Sequence, residues 1–196
     1  FTTTITDCTF KAEKQATTYD GLPVTGIDIN SAYGANMVVY INNCTTEGFP
    51  VGLNSNSDLW NIKNGGLNKT TLYIDGNVVW LPDYTLVAGY PGLFSKDGEF
   101  YVFDVVGLGS LNKYFQNNSM ANEPWGRTYN IAADIDAEGF TWQGVYMITG
   151  DNTRNGIVID GNNHTISNIT IQDYLLSGTA DGADDGTTPG EFRDLT

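Results

Sequence analysis

The chain's one histidine, His164, lies in "NGIVIDGNNHTISNITI" (155–171), four residues after Asp160. A histidine and a carboxylate this close could form an acid–base pair, the carboxylate orienting the ring while the ring moves a proton. Catalysis would need further carboxylates or a nucleophile brought in from other strands. A second group, Asp181, Asp184 and Asp185 in "DGADDG", offers hard oxygen ligands in a Gly-rich loop and would suit Ca²⁺. It matches no defined calcium repeat, and a solvated acidic loop explains it more simply. "DIDAEG" (134–139) begins like an EF-hand loop, but Glu138 and Val145 stand where the template wants Asp or Asn, and Glu. The arginines Arg127, Arg154 and Arg193 are scattered, and a net charge of −14 would repel a polyuronate. Polysaccharide lyases and hydrolases rely on a positioned base or a carboxylate cluster, and no such motif is evident. The expectation is no catalytic residue, no enzyme activity and no cofactor other than calcium at the acidic loop.

These residues sit on, or between, short strand-like segments. "TITDCTF" (4–10) and "VYINNCTTEG" (39–48) share an apolar-polar-Asp/Asn-Cys-Thr pattern, and their cysteines are 36 residues apart. "GIDINSA" (26–32), "TTLYIDGNVVW" (70–80), "TYNIAADIDAEGFTW" (128–142), "GIVIDGNNHTI" (156–166) and "SNITIQDYLL" (167–176) are similar, each broken by Gly, Asn or Asp. Short β-branched runs between such breakers predict an all-β architecture. Irregular self-similarity, with Asn recurring at strand ends, favours a solenoid over a sandwich. If the strands holding Cys8 and Cys44 are adjacent rungs, the two side chains stack ~4.8 Å apart, within reach of a disulfide; stacked free thiols are the alternative. One segment, 98–118, departs from the pattern. It opens as a strand and then takes helical spacing, with Asp104 as N-cap and Val105, Leu108, Leu111 and Phe115 on one face. Such a helix would cover the open end of a coil stack.

Composition narrows the partners. Acids outnumber bases 23 to 9, which speaks against nucleic acid or an anionic membrane, since both need a basic footprint. No apolar run approaches the ~20 residues of a membrane span. The opening "FTTTITDCTF" is already strand-like, as in a processed or trimmed chain, with no charged-then-apolar leader ahead of it. Five sequons, at Asn43, Asn68, Asn117, Asn163 and Asn168, are glycosylation candidates and hint at secretion. Tyr33, Tyr40, Trp60, Tyr73 and Trp80 could make a glycan-binding platform, although burial is the commoner fate of aromatics.

The segments "LFSKDGEFYVFDVVGLGSLNKYF", "YNIAADIDAEGFTW" and "GIVIDGNNHTISNITI" together resemble repeat modules of prokaryotic cell-surface β-helix proteins, which include adhesins and fibres. The resemblance covers about 94–171, and extends loosely to 1–48 through "ITDCTF" and "INNCTTEG". It implies a right-handed parallel β-helix (β-solenoid) of pectate-lyase-like shape: coils at 1–80, a connecting segment at 81–93, a capping hairpin and helix at 94–118, and coils at 119–196. It also implies a turn role for His164, an extracellular or cell-surface location, and a structural part in a fibre, filament or adhesin stalk. In those modules the cap precedes the cysteine-bearing coils, whereas here it follows them. That order fits a piece of a tandem array, a permuted module, or coils of one copy stacking head to tail on those of the next. A carbohydrate-binding module is the alternative reading.

Overall fold

The computed structural model describes residues 1–12, 18–19, 22–23, 25–29, 36–48, 59–62, 69–118, 124, 126–149, 156–180 and 191–196. The acidic loop with Asp181, Asp184 and Asp185, together with Tyr33, Asn68 and Arg154, lies outside them. The chain divides into two units, Phe1–Pro82 and Asp83–Thr196. Each is a stack of parallel coils, so the β-solenoid expectation holds.

In the N-terminal unit the strands are β1 (Thr2–Thr6), β2 (Thr9–Lys11), β3 (Thr18–Tyr19), β4 (Leu22–Pro23), β5 (Ile27–Ile29), β6 (Asn36–Asn42), β7 (Thr45–Glu47), β8 (Trp60–Ile62), β9 (Lys69–Ile74) and β10 (Asn77–Trp80). β1, β6 and β9 run parallel and in register, with Ile5 beside Ile41 and Ile41 beside Ile74. β2 pairs with β7 and β5 with β8 in the same sense, while β3 and β4 form a small hairpin. Strand alternation sends Val39, Ile41 and Leu72 into the core, where all are buried. Each such side chain stabilises the fold by about 1.5–3 kcal/mol. The intervening Tyr40 and Tyr73 fall on the other face and stack at 4.9 Å. β10 turns back antiparallel on β9 and closes that edge, and Trp80 meets buried Trp60 edge-on.

The corners explain the abundance of Asn and Asp. Every described non-glycine residue at positive φ is one or the other: Asp7, Asn43, Asp75, Asp83, Asp97, Asn162, Asn163, Asn168, Asp173 and Asp194. Their short polar side chains tolerate the left-handed conformation and bond locally. Stacked corners also bond to each other. The Asn43 amide donates to Asp7 Oδ1 at 2.6 Å, and the Asn43 N–H donates to Asp75 Oδ1 at 2.7 Å.

In the C-terminal unit the elements are β11 (Thr85–Leu86), β12 (Leu93–Lys96), β13 (Glu99–Val102), α1 (Val105–Asn117), β14 (Thr128–Ile131), β15 (Ile135–Asp136), β16 (Thr141–Thr149), β17 (Val158–Asp160), β18 (Ile166–Ser167), β19 (Thr170–Ala180) and β20 (Glu191–Arg193). β13, β14, β17 and β20 are parallel neighbours, as are β15 with β18 and β16 with β19. Inside, Phe100 and Tyr129 stack at 5.0 Å, and Trp142 donates from Nε1 to Leu175 O across the rung gap at 2.8 Å. Residues 81–93, expected only to connect, also contribute β11, which pairs with β12. Tyr84 draws this segment onto the cap by packing edge-on against Phe94, Tyr101 and Phe103.

α1 forms as its spacing predicts. Asp104 is the N-cap, accepting from Gly107 N at 2.8 Å, and Leu108, Leu111 and Phe115 are buried. The helix also shields a strand edge chemically. Asn112, 4% exposed, donates from Nδ2 to Gln143 O at 2.8 Å and accepts from Gln143 N at 3.0 Å. Its amide thus does for β16 what a peptide of a further rung would do. Substitution Asn112→Ala leaves both Gln143 groups unpaired, and a loss of about 1–3 kcal/mol is expected in urea denaturation. The two helix glycines should respond oppositely to alanine. A Cβ on Gly107 would strike the Gly92 carbonyl and sit 3.2 Å from Val102 Cγ1, whereas one on Gly109 would meet only Phe140 Cε2 at 3.5 Å. Gly109→Ala is expected to stabilise by about 0.5–1 kcal/mol, and Gly107→Ala to destabilise by roughly 1–3 kcal/mol, both read from the same denaturation curves.

Candidate functional site

The structure separates the residues whose proximity in sequence suggested chemistry. Asp160 does not meet His164. It lies in β17, where Oδ2 accepts from Arg193 Nε at 2.7 Å and Nη2 at 2.6 Å, while Oδ1 accepts from Asn162 N at 2.9 Å. Arg193 is the in-register neighbour one coil on. His164 Nδ1 instead lies 3.2 Å from Asp134 Oδ1, the same oxygen that accepts from Thr165 N at 2.9 Å. This partner was missed in the sequence, yet a signal existed: the coil offset that sets Ile135 beside Ile166 places Asp134 beside Thr165, next to His164. The rest of the apparent EF-hand is committed in the same way, with Asp136 Oδ1 accepting from Asn168 Nδ2 at 2.9 Å and from Glu138 N at 3.2 Å. Arg127 donates to Gly98 O at 3.1 Å and lies over the Phe100 ring. Among the described residues no group of three or more His, Cys, Asp or Glu side chains is placed to hold a metal ion.

Other predicted positions resolve individually. Cys8 and Cys44 are free thiols, so the bonded alternative is not realised in this structure. Each donates to a carbonyl two residues back, Cys8 to Thr6 O and Cys44 to Asn42 O, both at 3.3 Å. Of the sequon asparagines, Asn43, Asn117 and Asn168 use their amides as donors to Asp7, Tyr90 and Asp136, and Asn163 sits exposed in a turn. Trp60 is buried and Trp80 packs against it, so among the described residues the expected aromatic platform keeps the Tyr40–Tyr73 pair on the outer strand face. An open groove of about 930 Å³ in the C-terminal unit is lined by side chains of both charge signs, among them Asp83, Lys96, Asp97 and Arg127, with Phe100 and Tyr114 at its base.

The most distinctive surfaces are uncovered coils. In the C-terminal unit, positions in register on parallel strands share a face, yet their exposure changes sharply between the coil of β15 and β16 and that of β18 and β19. Ile135 and Val145 are buried, but their partners Ile166 and Leu176 are only partly so. Trp142 is 2% exposed, while its partner Ile171 is 43% exposed. Ile171 therefore occupies a register position with no described strand beyond β19, whereas beyond β18 the chain continues, with Ile166 N donating to Thr196 O at 3.1 Å. The N-terminal unit shows a matching edge. β1 has β6 on one side and no described strand on the other, and Ile5 is half-buried beside fully buried Ile41. Its outward groups can be assigned. Val38 N bonds Phe1 O and Asp7 N bonds Asn42 O, so by the alternation of a parallel ladder the N–H groups of Thr2, Thr4 and Thr6 point away from β6.

No described helix is long and apolar enough to cross a membrane. Comparison of the chain with protein-family models, with curated proteins and with solved structures finds no match.

The inter-coil Asp134 contact has a pH signature. The Thr165 N–H, and then His164, hold the Asp134 carboxyl below its usual 3.8. A depressed carboxyl stabilises the fold above its unfolded pKa and loses that contribution as pH falls through its lower folded value. Asp134→Asn is therefore expected to lower the urea midpoint slightly at neutral pH. The gap to the parent should close on acidification below about pH 4, as followed by denaturation at stepped pH.

Proposed function

We propose that the protein is a structural β-solenoid unit of an extracellular or cell-surface fibre, filament or adhesin stalk. It lengthens head to tail, with the β19 face of one copy accepting the first coil of the next. The observation that carries this reading is the exposure of Ile171, with the partial exposure of Ile166 and Leu176, at register positions that are buried one coil earlier. A surface of this kind is completed by another parallel rung bearing inward apolar residues. The β1 edge, with Ile5 inward and three outward N–H donors, is a rung of that chemistry. Because the two edges differ, the contact is heterologous, and a heterologous contact whose rotation does not close propagates as a filament. Each added rung contributes main-chain hydrogen bonds along the direction of growth, which suits a load-bearing role. The resemblance of 94–171 to surface modules supports the location.

The groove lined by Lys96, Arg127, Asp83 and Asp97 favours a second reading, in which the chain binds glycans. Assembly separates the two.

Electron microscopy and sedimentation of the purified chain at about 0.15 M salt, where charge repulsion is screened beyond ~8 Å, are expected to show linear oligomers. Thr4→Pro removes one outward donor from β1 while sparing the bonds to β6, an edge position that proline tolerates. It should abolish the oligomers and leave the β-sheet circular dichroism of the monomer intact. Compact monodisperse particles for the parent chain at every concentration, or undiminished oligomers for Thr4→Pro, would sink the assembly reading.

A further inference from the structure

We propose that Cys8 and Cys44 are an oxidisable pair, a modification site at which a disulfide staples the first coil of the N-terminal unit to the second. The backbone ladder is continuous on both sides of the corner that holds them. Thr6 is in register with Asn42 and Thr9 with Thr45. Asp7 N bonds Asn42 O at 3.0 Å, and Thr45 N bonds Cys8 O at 2.9 Å. Cys8 and Cys44 therefore occupy the same place on successive coils. In-register parallel neighbours lie ~4.8 Å apart, inside the Cα separation of about 4.4–6.8 Å that a disulfide requires.

The flanking side chains show that equivalent positions touch across this gap. Asp7 and Asn43, just before the cysteines, are bonded at 2.6 Å, and the hydroxyls of Thr9 and Thr45, just after them, lie 3.3 Å apart. Cys44 Sγ already reaches the other coil, 3.7 Å from Ile5 O. Both cysteines are partly exposed, so a small oxidant can reach them.

The step balances with a low-molecular-weight disulfide such as oxidised glutathione. One protein thiolate attacks it, releasing one glutathione and forming a mixed disulfide. The second protein thiolate displaces the other glutathione, so two electrons and two protons pass from the protein thiols to the oxidant, which leaves as two glutathione thiols, and one intrachain bond forms. Burial first, then the Cys44 thiol and Asp7, raise the Cys8 pKa. Exchange is accordingly slow at neutral pH and quickens as pH rises. The consequence falls on β1, which has a described strand on one side only. This inference does not depend on the assembly reading.

The test incubates the purified chain with oxidised glutathione at about pH 8.5 and reads intact mass, thiol count and thermal unfolding. The expected product has lost both thiols and about 2 Da, carries no glutathione, and yields a Cys8–Cys44 cross-linked peptide. Its Tm should rise by roughly 5–10 °C over the reduced chain. A Cys8→Ala/Cys44→Ala chain should unfold near the reduced parent and gain nothing from the oxidant. Persistent thiols, glutathione retained on both cysteines, bonds only between chains, or an intrachain bond without a rise in Tm would each overturn the staple.

Discussion

Parallel coils can stack only if each strand finds its equivalent on the next coil at the spacing of a β-ladder, and nearly every other feature follows from that constraint. It places like on like. Ile5, Ile41 and Ile74 form one column, and Phe100, Tyr129 and Ile159 another, so the core is a set of stacks rather than a cluster of unrelated contacts. It also places polar corner on polar corner. Asn43 lies between Asp7 and Asp75, and Asn168 on Asp136, and these pairings satisfy groups that a tight left-handed turn would otherwise leave to solvent.

The same constraint creates the fold's liability. A coil stack has two ends, each presenting unpaired main chain. The C-terminal unit covers one end with the β12–β13 hairpin and α1, where Asn112 substitutes for a missing rung by bonding Gln143 at both N–H and C=O. The N-terminal unit covers one of its edges with the returning strand β10. The edges of β1 and β19, beyond which no described strand lies, are also where apolar side chains lose burial relative to their in-register partners. Backbone and side chains therefore point to the same two surfaces.

The ladder also accounts for the fate of the ionisable groups. Asp160, Asp134 and Asp136 each spend oxygens on the neighbouring coil or on their own turn, through Arg193, Thr165 and Asn168. Converging carboxylates in a cleft would have to come from residues that the ladder does not use. Cys8 and Cys44 are the other pair the ladder brings together, one on each coil, and they bring a chemistry that the hydrogen-bonded corners do not have.

Much of this architecture was legible in the residues. Alternating β-branched runs broken by Asn, Asp and Gly dictate short strands with left-handed corners, because few other residues accept positive φ. Asp104 followed by Val105, Leu108, Leu111 and Phe115 dictates the helix, because capping and periodicity are local. What the sequence could not assign was pairing across coils. His164 looks to Asp160 when distance is counted along the chain, yet its partner is Asp134, 30 residues away, because coil register and not sequence separation sets contact. Ile171 reads as a core residue by the same pattern as Ile159, and only the stacking shows that it lies on β19, with no described strand beyond it. Local chemistry determined the kinds of elements. The tertiary structure alone decided which rung faces which, and which strands have no described neighbour on one side.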